Sequence, residues 1–176
     1  MNKIKTAIIG ASGYTGAELI RILINHPQVE ICALIANSNA GQKINDLYPH
    51  LIHYHLPDLK KLDEIDFTQI DVAFGCLPHT TSQETFKALL SDPKNAHLKI
   101  IDLSADFRLD DVNNYQKWYK HEHIAPNLQP QAVYGLSEIN RNTIKKSNLS
   151  LVLIAFSLCL LGLTDLIPLS VATTIL

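Results

Sequence analysis

The 176-residue chain is poor in cysteine, with three, and has one tryptophan and one methionine. Cys32, Cys76 and Cys159 are odd in number and widely spaced, which excludes a disulfide framework and a zinc knuckle as organising devices. Charge of either sign is also scarce. With 15 Lys and Arg against 17 Asp and Glu the net charge is −2, and there is no long basic run, so electrostatics points to neither nucleic acid nor an anionic membrane as a partner. A small anionic ligand stays open. No secretion signal is legible, because the short apolar run after Lys3 and Lys5 is cut by glycine; the expected compartment is the reducing cytoplasm. There is no internal repeat, and the length suits one sizeable core.

Against these absences stands a glycine triplet, Gly10-Ala11-Ser12-Gly13-Tyr14-Thr15-Gly16. Lys3 to Ile9 before it is rich in β-branched residues and reads as a buried strand. Leu19, Ile20, Leu23 and Ile24 after it recur at helical spacing until His26-Pro27. The glycines therefore fall at a strand-to-helix turn, where positive φ, close approach of a ligand and tight helix–strand packing each favour a residue without Cβ. Amides at the start of such a helix face an anion. The spacing is GxxGxxG, so a purely structural turn is the competing reading. A second strand, Val29 to Ile35, follows at βαβ distance and ends where an adenosine ribose would lie. No carboxylate stands there. Asn37 and Ser38 are neutral hydrogen-bonding groups, which favours NADP over NAD, and the nearby Lys43 either supplies a counter-charge or is solvated.

Further on, Leu51 to Leu56 reads as a surface strand on which His53 and His55 share a face. With His50 they suggest a metal site, but no acidic or thiol partner stands at ligand spacing. Asp71 to Leu77 reads as a buried strand closed by Pro78. Thr81 to Glu84 has capping-box spacing for a helix to about Ser91. Leu98 to Leu103 is a strand, Asp111 to about His121 a helix, Ala132 to Gly135 an extended piece, and Ser137 to Lys146 a helix. The alternation predicts an α/β fold, a doubly wound and mostly parallel sheet with ligands at the carboxyl ends of the strands, which carry His79 and Ser104. Asp102, Ser104, Asp106 and Arg108 alternate along a segment taken as extended. Arg108 is either an anion anchor for a substrate phosphate or carboxylate, or the ion-pair partner of Asp106 or Asp110. His121-Glu122-His123 lacks HExxH spacing and reads as solvated. From Ser147 to Leu176 there is one charge, Asp165, and Leu149 to Leu163 carries none. That run falls short of the twenty or so apolar residues a span needs.

Five ordered phrases, GASGYTGAEL (10–19), LPH (77–79), IDLSADFRL (101–109), WYKHEH (118–123) and VYGLSE (133–138), resemble the N-acetyl-gamma-glutamyl-phosphate reductases of the semialdehyde dehydrogenase superfamily. The resemblance covers about residues 1 to 149. It implies a Rossmann-type NADP-binding domain from an enzyme of arginine biosynthesis that reduces an acyl phosphate to an aldehyde. In such enzymes a cysteine thiolate expels phosphate, NADPH supplies hydride, and a histidine handles the proton. It implies cofactor contacts at Gly10, Ser12, Gly13, Tyr14, Thr15, Gly16, Asn37, Ser38, Cys76, Leu77, Pro78, His79 and Ser104, and substrate contact at Arg108.

The family places its nucleophile in an NPGCYPT-like phrase after the strand that begins here near Leu149. This chain instead reads LVLIAFSLC from Leu151 to Cys159, and Cys159 lies among leucines that disfavour a thiolate. Residues 150–176 are accordingly expected to be an apolar tail foreign to the family, from a frameshift, an early stop or deliberate truncation, with the second, catalytic domain missing. The expected chain keeps cofactor binding, has no catalytic residue or metal site, and is inactive alone. The small-molecule substrate and oligomeric assembly belong to the complete family enzyme. Three other readings stand beside this one: an aspartate-semialdehyde dehydrogenase-like fragment, a non-catalytic dinucleotide-binding module with a membrane-associating tail, and an aggregation-prone remnant.

Overall fold

The computed structural model describes residues 3–78, 80–109, 111–135 and 137–151. It divides into two compact units, Met1–Cys76 and Leu77–Leu176. In the first, β1 (Ile4–Ile9), α1 (Tyr14–Leu23) and β2 (Val29–Ile35) form a βαβ unit, continued by a short helix α2 (Ile44–Leu47), β3 (Leu59–Lys60) and β4 (Val72–Gly75). The strands order as β3-β2-β1-β4, and every pair is parallel. Ala7, Ile8 and Ile9 of β1 and Ala33, Leu34 and Ile35 of β2 are buried as unbroken apolar runs, as a strand covered on both faces requires. Helix α1 turns Gly16, Ala17, Ile20 and Leu23 inward, the 3.6-residue stripe read from the sequence.

The second unit contains α3 (Thr81–Ser91), β5 (Lys99–Asp102), α4 (Val112–Tyr119), β6 (Ala132–Tyr134), α5 (Ser137–Ile144) and β7 (Leu149–Leu151). Its strands order as β5-β7-β6, again all parallel. Phe86, Leu98, Ile100, Ile101, Phe107 and Tyr115 make its core. Helix α4 starts at Asp111, whose carboxylate accepts the Asn113 N–H at 2.8 Å, and stops at Lys120, which takes the left-handed conformation. The architecture is the parallel, Rossmann-type α/β fold expected.

Several expectations are corrected. No strand forms at Leu51 to Leu56: Pro49 opens a single 3-10 turn, Pro49–Leu51, and beyond Leu51 the side chains at 52–55 are exposed, so there is no face to bury. His50, His53 and His55 are exposed, and among the described residues no three His, Cys, Asp or Glu side chains are grouped to hold a metal. The strand that pairs with β2 on the side away from β1 is the two-residue β3. The segment after Asp102 is a turn, with the Arg108 N–H on the Ala105 carbonyl at 3.2 Å, and is not extended. His123 is buried between the rings of Phe107 and Tyr115, where it was expected in solvent. The apolar run from residue 152 on, with Cys159, lies outside the described residues; among those that are described, no helix is long and apolar enough to cross a membrane.

Candidate functional site

The three glycines of the first loop divide the labour. Gly10 leaves β1 with φ +84°, the left-handed region where a side chain is strained. Its N–H and that of Ala11 both reach the Ile35 carbonyl, at 2.9 and 3.0 Å, which fixes the loop on the carboxyl end of β2. Gly16 has no room for a side chain: a Cβ there would lie 2.5 Å from the Gly10 carbonyl oxygen and 2.7 Å from the Ala11 Cα. Gly13 needs neither service. Its backbone is extended (φ −82°), it is exposed, and a Cβ would sit 3.4 Å from the Gly10 oxygen. Being glycine, it leaves the head of α1 without a side-chain cap, so the first amides of the helix are uncapped by the chain and open to an external acceptor. An anion such as a pyrophosphate suits that cradle.

Ser12 and Thr15 are half-buried, and Tyr14 is 87% exposed. A residue missed in the sequence braces this turn: the Tyr48 hydroxyl donates to the Ser12 carbonyl at 2.8 Å. Tyr48 is 36 positions away and carries no local pattern, so nothing near the glycines announces it. Asn37 and Ser38 are exposed directly beyond β2, two and three residues after the carbonyl that anchors Gly10 and Ala11. Lys43 is exposed at the head of α2. The Cys76 N–H donates to the Ile9 carbonyl at 2.7 Å, which brings its backbone beside the root of the glycine loop. Cys32, by contrast, is a half-buried thiol pushed up by desolvation, then by Glu30, and it does not suit thiolate chemistry.

In the second unit Leu77 is half-buried and Pro78 exposed; His79 lies outside the described residues. Thr80 adopts φ +75° at the head of α3 and offers no side-chain cap, so the expected Thr81 capping box does not form. The cap comes from 26 residues away. Asp106 takes the Thr80 N–H on both oxygens (3.0 and 2.8 Å), the Ser82 hydroxyl at 2.6 Å and the Tyr115 hydroxyl at 2.9 Å. Ser104, 4% exposed, hydrogen-bonds Asp102 at 2.7 Å and Ser82 at 2.8 Å. Its hydroxyl is thus committed to a buried network, where a cofactor-facing position was expected. His123 Nε2 stands 3.1 Å from the Asp106 carbonyl and Nδ1 receives the Ala125 N–H at 3.3 Å, so Nε2 carries the proton of the neutral ring; burial pushes its basicity down. Burial also raises the Tyr115 phenol, reinforced by Asp106. Arg108 is exposed and, among the described residues, makes no ion pair; Asp106 is occupied elsewhere, and Asp110 lies outside the described residues.

Residues 5–147 match the family described as "Semialdehyde dehydrogenase, NAD binding domain". The chain is 49% identical over 147 residues to a probable chloroplastic N-acetyl-gamma-glutamyl-phosphate reductase of Oryza sativa subsp. japonica, covering 84% of this chain and 34% of that one. It is 52% identical over 145 residues to N-acetyl-gamma-glutamyl-phosphate reductase of Rhodobacter capsulatus, covering 82% and 41%. The chain therefore spans about two fifths or less of these relatives' length. Among solved structures, aspartate semialdehyde dehydrogenase with NADP from Candida albicans aligns at TM-score 0.57 and 20% identity, covering 88% of this chain and 43% of that one. Aspartate semialdehyde dehydrogenase II from Vibrio cholerae, complexed with ASA, aligns at 0.55 and 17%, covering 86% and 38%. At those identities the likeness establishes the fold alone. The sequence match over most of the chain and the glycine-lined turn at the head of α1 agree: this chain belongs to the semialdehyde dehydrogenase NAD-binding domain family.

Proposed function

We propose that residues 1–149 hold NADPH and form the dinucleotide-binding part of an N-acetyl-gamma-glutamyl-phosphate reductase. The observation that carries this is the turn at Gly10 to Gly16: it is packed so tightly at Gly16 that only glycine fits, it presents uncapped helix amides, and it lies within the stretch about half identical to the reductases. In this reading the amides of Ser12 and of Tyr14 to Gly16 bind pyrophosphate, the Gly13 N–H being spent on the Gly10 carbonyl inside the turn and Tyr48 holding the Ser12 carbonyl away from it. Asn37 and Ser38 hydrogen-bond the ribose end, and the absence of a carboxylate there admits a 2′-phosphate. Cys76, Leu77, Pro78 and His79 border the nicotinamide side, and Arg108 anchors the anionic end of the substrate. Ser104 keeps its hydroxyl in the buried network with Asp102 and Ser82. When bound, the cofactor supplies a hydride. This chain's own residues bind, orient and exclude water; none is assigned the covalent step. The small-molecule substrate and the oligomeric assembly go with the whole reductase, and a cytoplasmic location is the companion expectation; Ser150 and Leu151, expected in the tail, complete β7 of the sheet, and residues 152–176 are read as an apolar segment distinct from the domain.

The test is ligand-dependent unfolding of the chain with NADPH and with NADH. NADPH at a hundred times its Kd is expected to stabilise by about 2.7 kcal/mol, because binding to the folded state alone must do so. Asn37→Asp is expected to lower NADPH affinity about tenfold, by setting a carboxylate against the 2′-phosphate, and to leave NADH little changed. No stabilisation by either nucleotide removes the binding assignment. Tighter binding of NADH removes the NADP preference.

A further inference from the structure

Strand β5 runs out into a polar line that holds two buried carboxylates and no cation. Asp102 is 0% exposed and Asp106 is 1%, and neither makes an ion pair among the described residues. Asp102 Oδ2 lies 2.7 Å from Ser104 Oγ, Ser104 Oγ lies 2.8 Å from Ser82 Oγ, and Ser82 Oγ lies 2.6 Å from Asp106 Oδ2. Three oxygen–oxygen hydrogen bonds need three protons, and the two serine hydroxyls own two. With both carboxylates ionised, each serine spends its proton on its aspartate, and the two serine oxygens face each other at 2.8 Å with only lone pairs between them. The Asp106 N–H, 3.1 Å from Ser104 Oγ, also makes that oxygen an acceptor. One more proton at an end of the line makes every contact a hydrogen bond.

The environments decide which end. Asp106 gathers the Thr80 N–H and the Tyr115 hydroxyl besides Ser82, and it lies at the head of α3, where the helix dipole favours negative charge. Asp102 has the Ser104 N–H at 2.9 Å. We propose that Asp102 is a neutral acid that donates into a one-way relay, Asp102 to Ser104 to Ser82 to Asp106, whose acceptor end ties down the left-handed Thr80 at the start of α3. Its own titration agrees: desolvation raises the Asp102 carboxyl to about 7 against the lowering by Ser104, with Asp106 adding to the rise. The relay is then a tether sensitive to pH near neutrality. It stands independently of what the glycine loop binds.

The titratable groups around the line are Asp106 on the same turn, Tyr115 of α4 through its bond to Asp106, and His123 through the Asp106 carbonyl. Helix α3 contributes Ser82 and Gln83, which do not titrate, and β7 pairs Leu151 with Asp102. Because the folded Asp102 holds its proton above the unfolded carboxylate range, the stability it gives is complete below that range and lost as pH rises to about 7. His123 works oppositely: its lowered basicity costs stability as pH falls below the ordinary imidazole value. Comparing wild type with Asp102→Asn cancels that contribution, since the amide donates to Ser104 Oγ at every pH.

The experiment is urea unfolding of the full chain for both proteins across the interval from about pH 5 to about pH 8. The ratio of the variant's folding constant to the wild type's is expected to rise nearly tenfold per pH unit up to about pH 7 and then level off. Parallel pH profiles overturn the proposal. If Asp102→Asn does not fold, the carboxyl carbon-13 resonance of Asp102 in the wild type decides: titration near neutrality supports the relay, and a fully ionised signal at pH values well below neutral overturns it.

Discussion

Gly16→Ala is expected to destabilise the chain and to abolish NADPH binding together. The added methyl would stand 2.5 Å from the Gly10 carbonyl oxygen, 2.7 Å from the Ala11 Cα and 2.8 Å from the Ala11 oxygen. All three are backbone atoms, so no side chain can swing aside. Alanine gains about 1 kcal/mol of helix propensity over glycine, while an overpacked core contact costs about 1–3 kcal/mol and more where backbone must shift. The steric term wins, by about 2 kcal/mol, a fall in Tm of roughly 4–8 °C for a chain of this size. Because relief comes by pushing α1 off the turn, the amide cradle opens as well. Gly13→Ala is the control. With extended backbone and a contact of 3.4 Å, it is expected to leave stability within about 0.5 kcal/mol while placing a methyl on the face the pyrophosphate must approach. Differential scanning fluorimetry with and without NADPH separates the two: Gly16→Ala lowers the unliganded Tm, and Gly13→Ala removes only the ligand-induced rise.

The second large effect is at Asp106. Removing its carboxylate in Asp106→Ala leaves the Thr80 N–H and the Ser82 and Tyr115 hydroxyls without their acceptor, and Ser82 and Tyr115 are 0% and 1% exposed. Each orphaned buried donor costs about 1–3 kcal/mol, and Ser82 can turn back to Ser104, so a net loss of about 3 kcal/mol is expected in urea unfolding. Thr80 adds a diagnostic. A β-branched residue at φ +75° is strained by about 1–3 kcal/mol and is held there by Asp106. Thr80→Gly, in the Asp106→Ala background, is therefore expected to recover part of the loss. Equal effects of Thr80→Gly with and without Asp106 would show that the two residues are not coupled.

What the sequence revealed and what it hid follow from range. β2 is observed at Val29–Ile35 and α3 at Thr81–Ser91, as their apolar spacing and flanking prolines indicate, because those signals are local. The glycine turn was legible for the same reason, though not the split by which Gly10 supplies positive φ, Gly16 packing and Gly13 an open approach. The errors share a cause. β3 has two residues and is defined by its pairing with β2, not by its own composition. The cap on α3 reaches it from Asp106, and the brace on the glycine turn from Tyr48, so each is invisible to a window of a few residues. His123 was read as solvated because the polar run His121-Glu122-His123 lacks HExxH spacing, yet its ring fills the space between Phe107 and Tyr115. Ser104 and Arg108 were placed on one face of an extended segment; the turn after β5 buries the first and exposes the second.

The central claim is that the backbone amides at the head of α1 grip a dinucleotide's pyrophosphate. Amide resonances of the full chain followed during NADPH addition test it most directly. Saturable shifts concentrated at Ser12, Gly13, Tyr14, Thr15 and Gly16, with weaker ones at Asn37 and Ser38, are the predicted result. Saturable shifts that leave the glycine turn unmoved, or a spectrum that NADPH does not change, would contradict it.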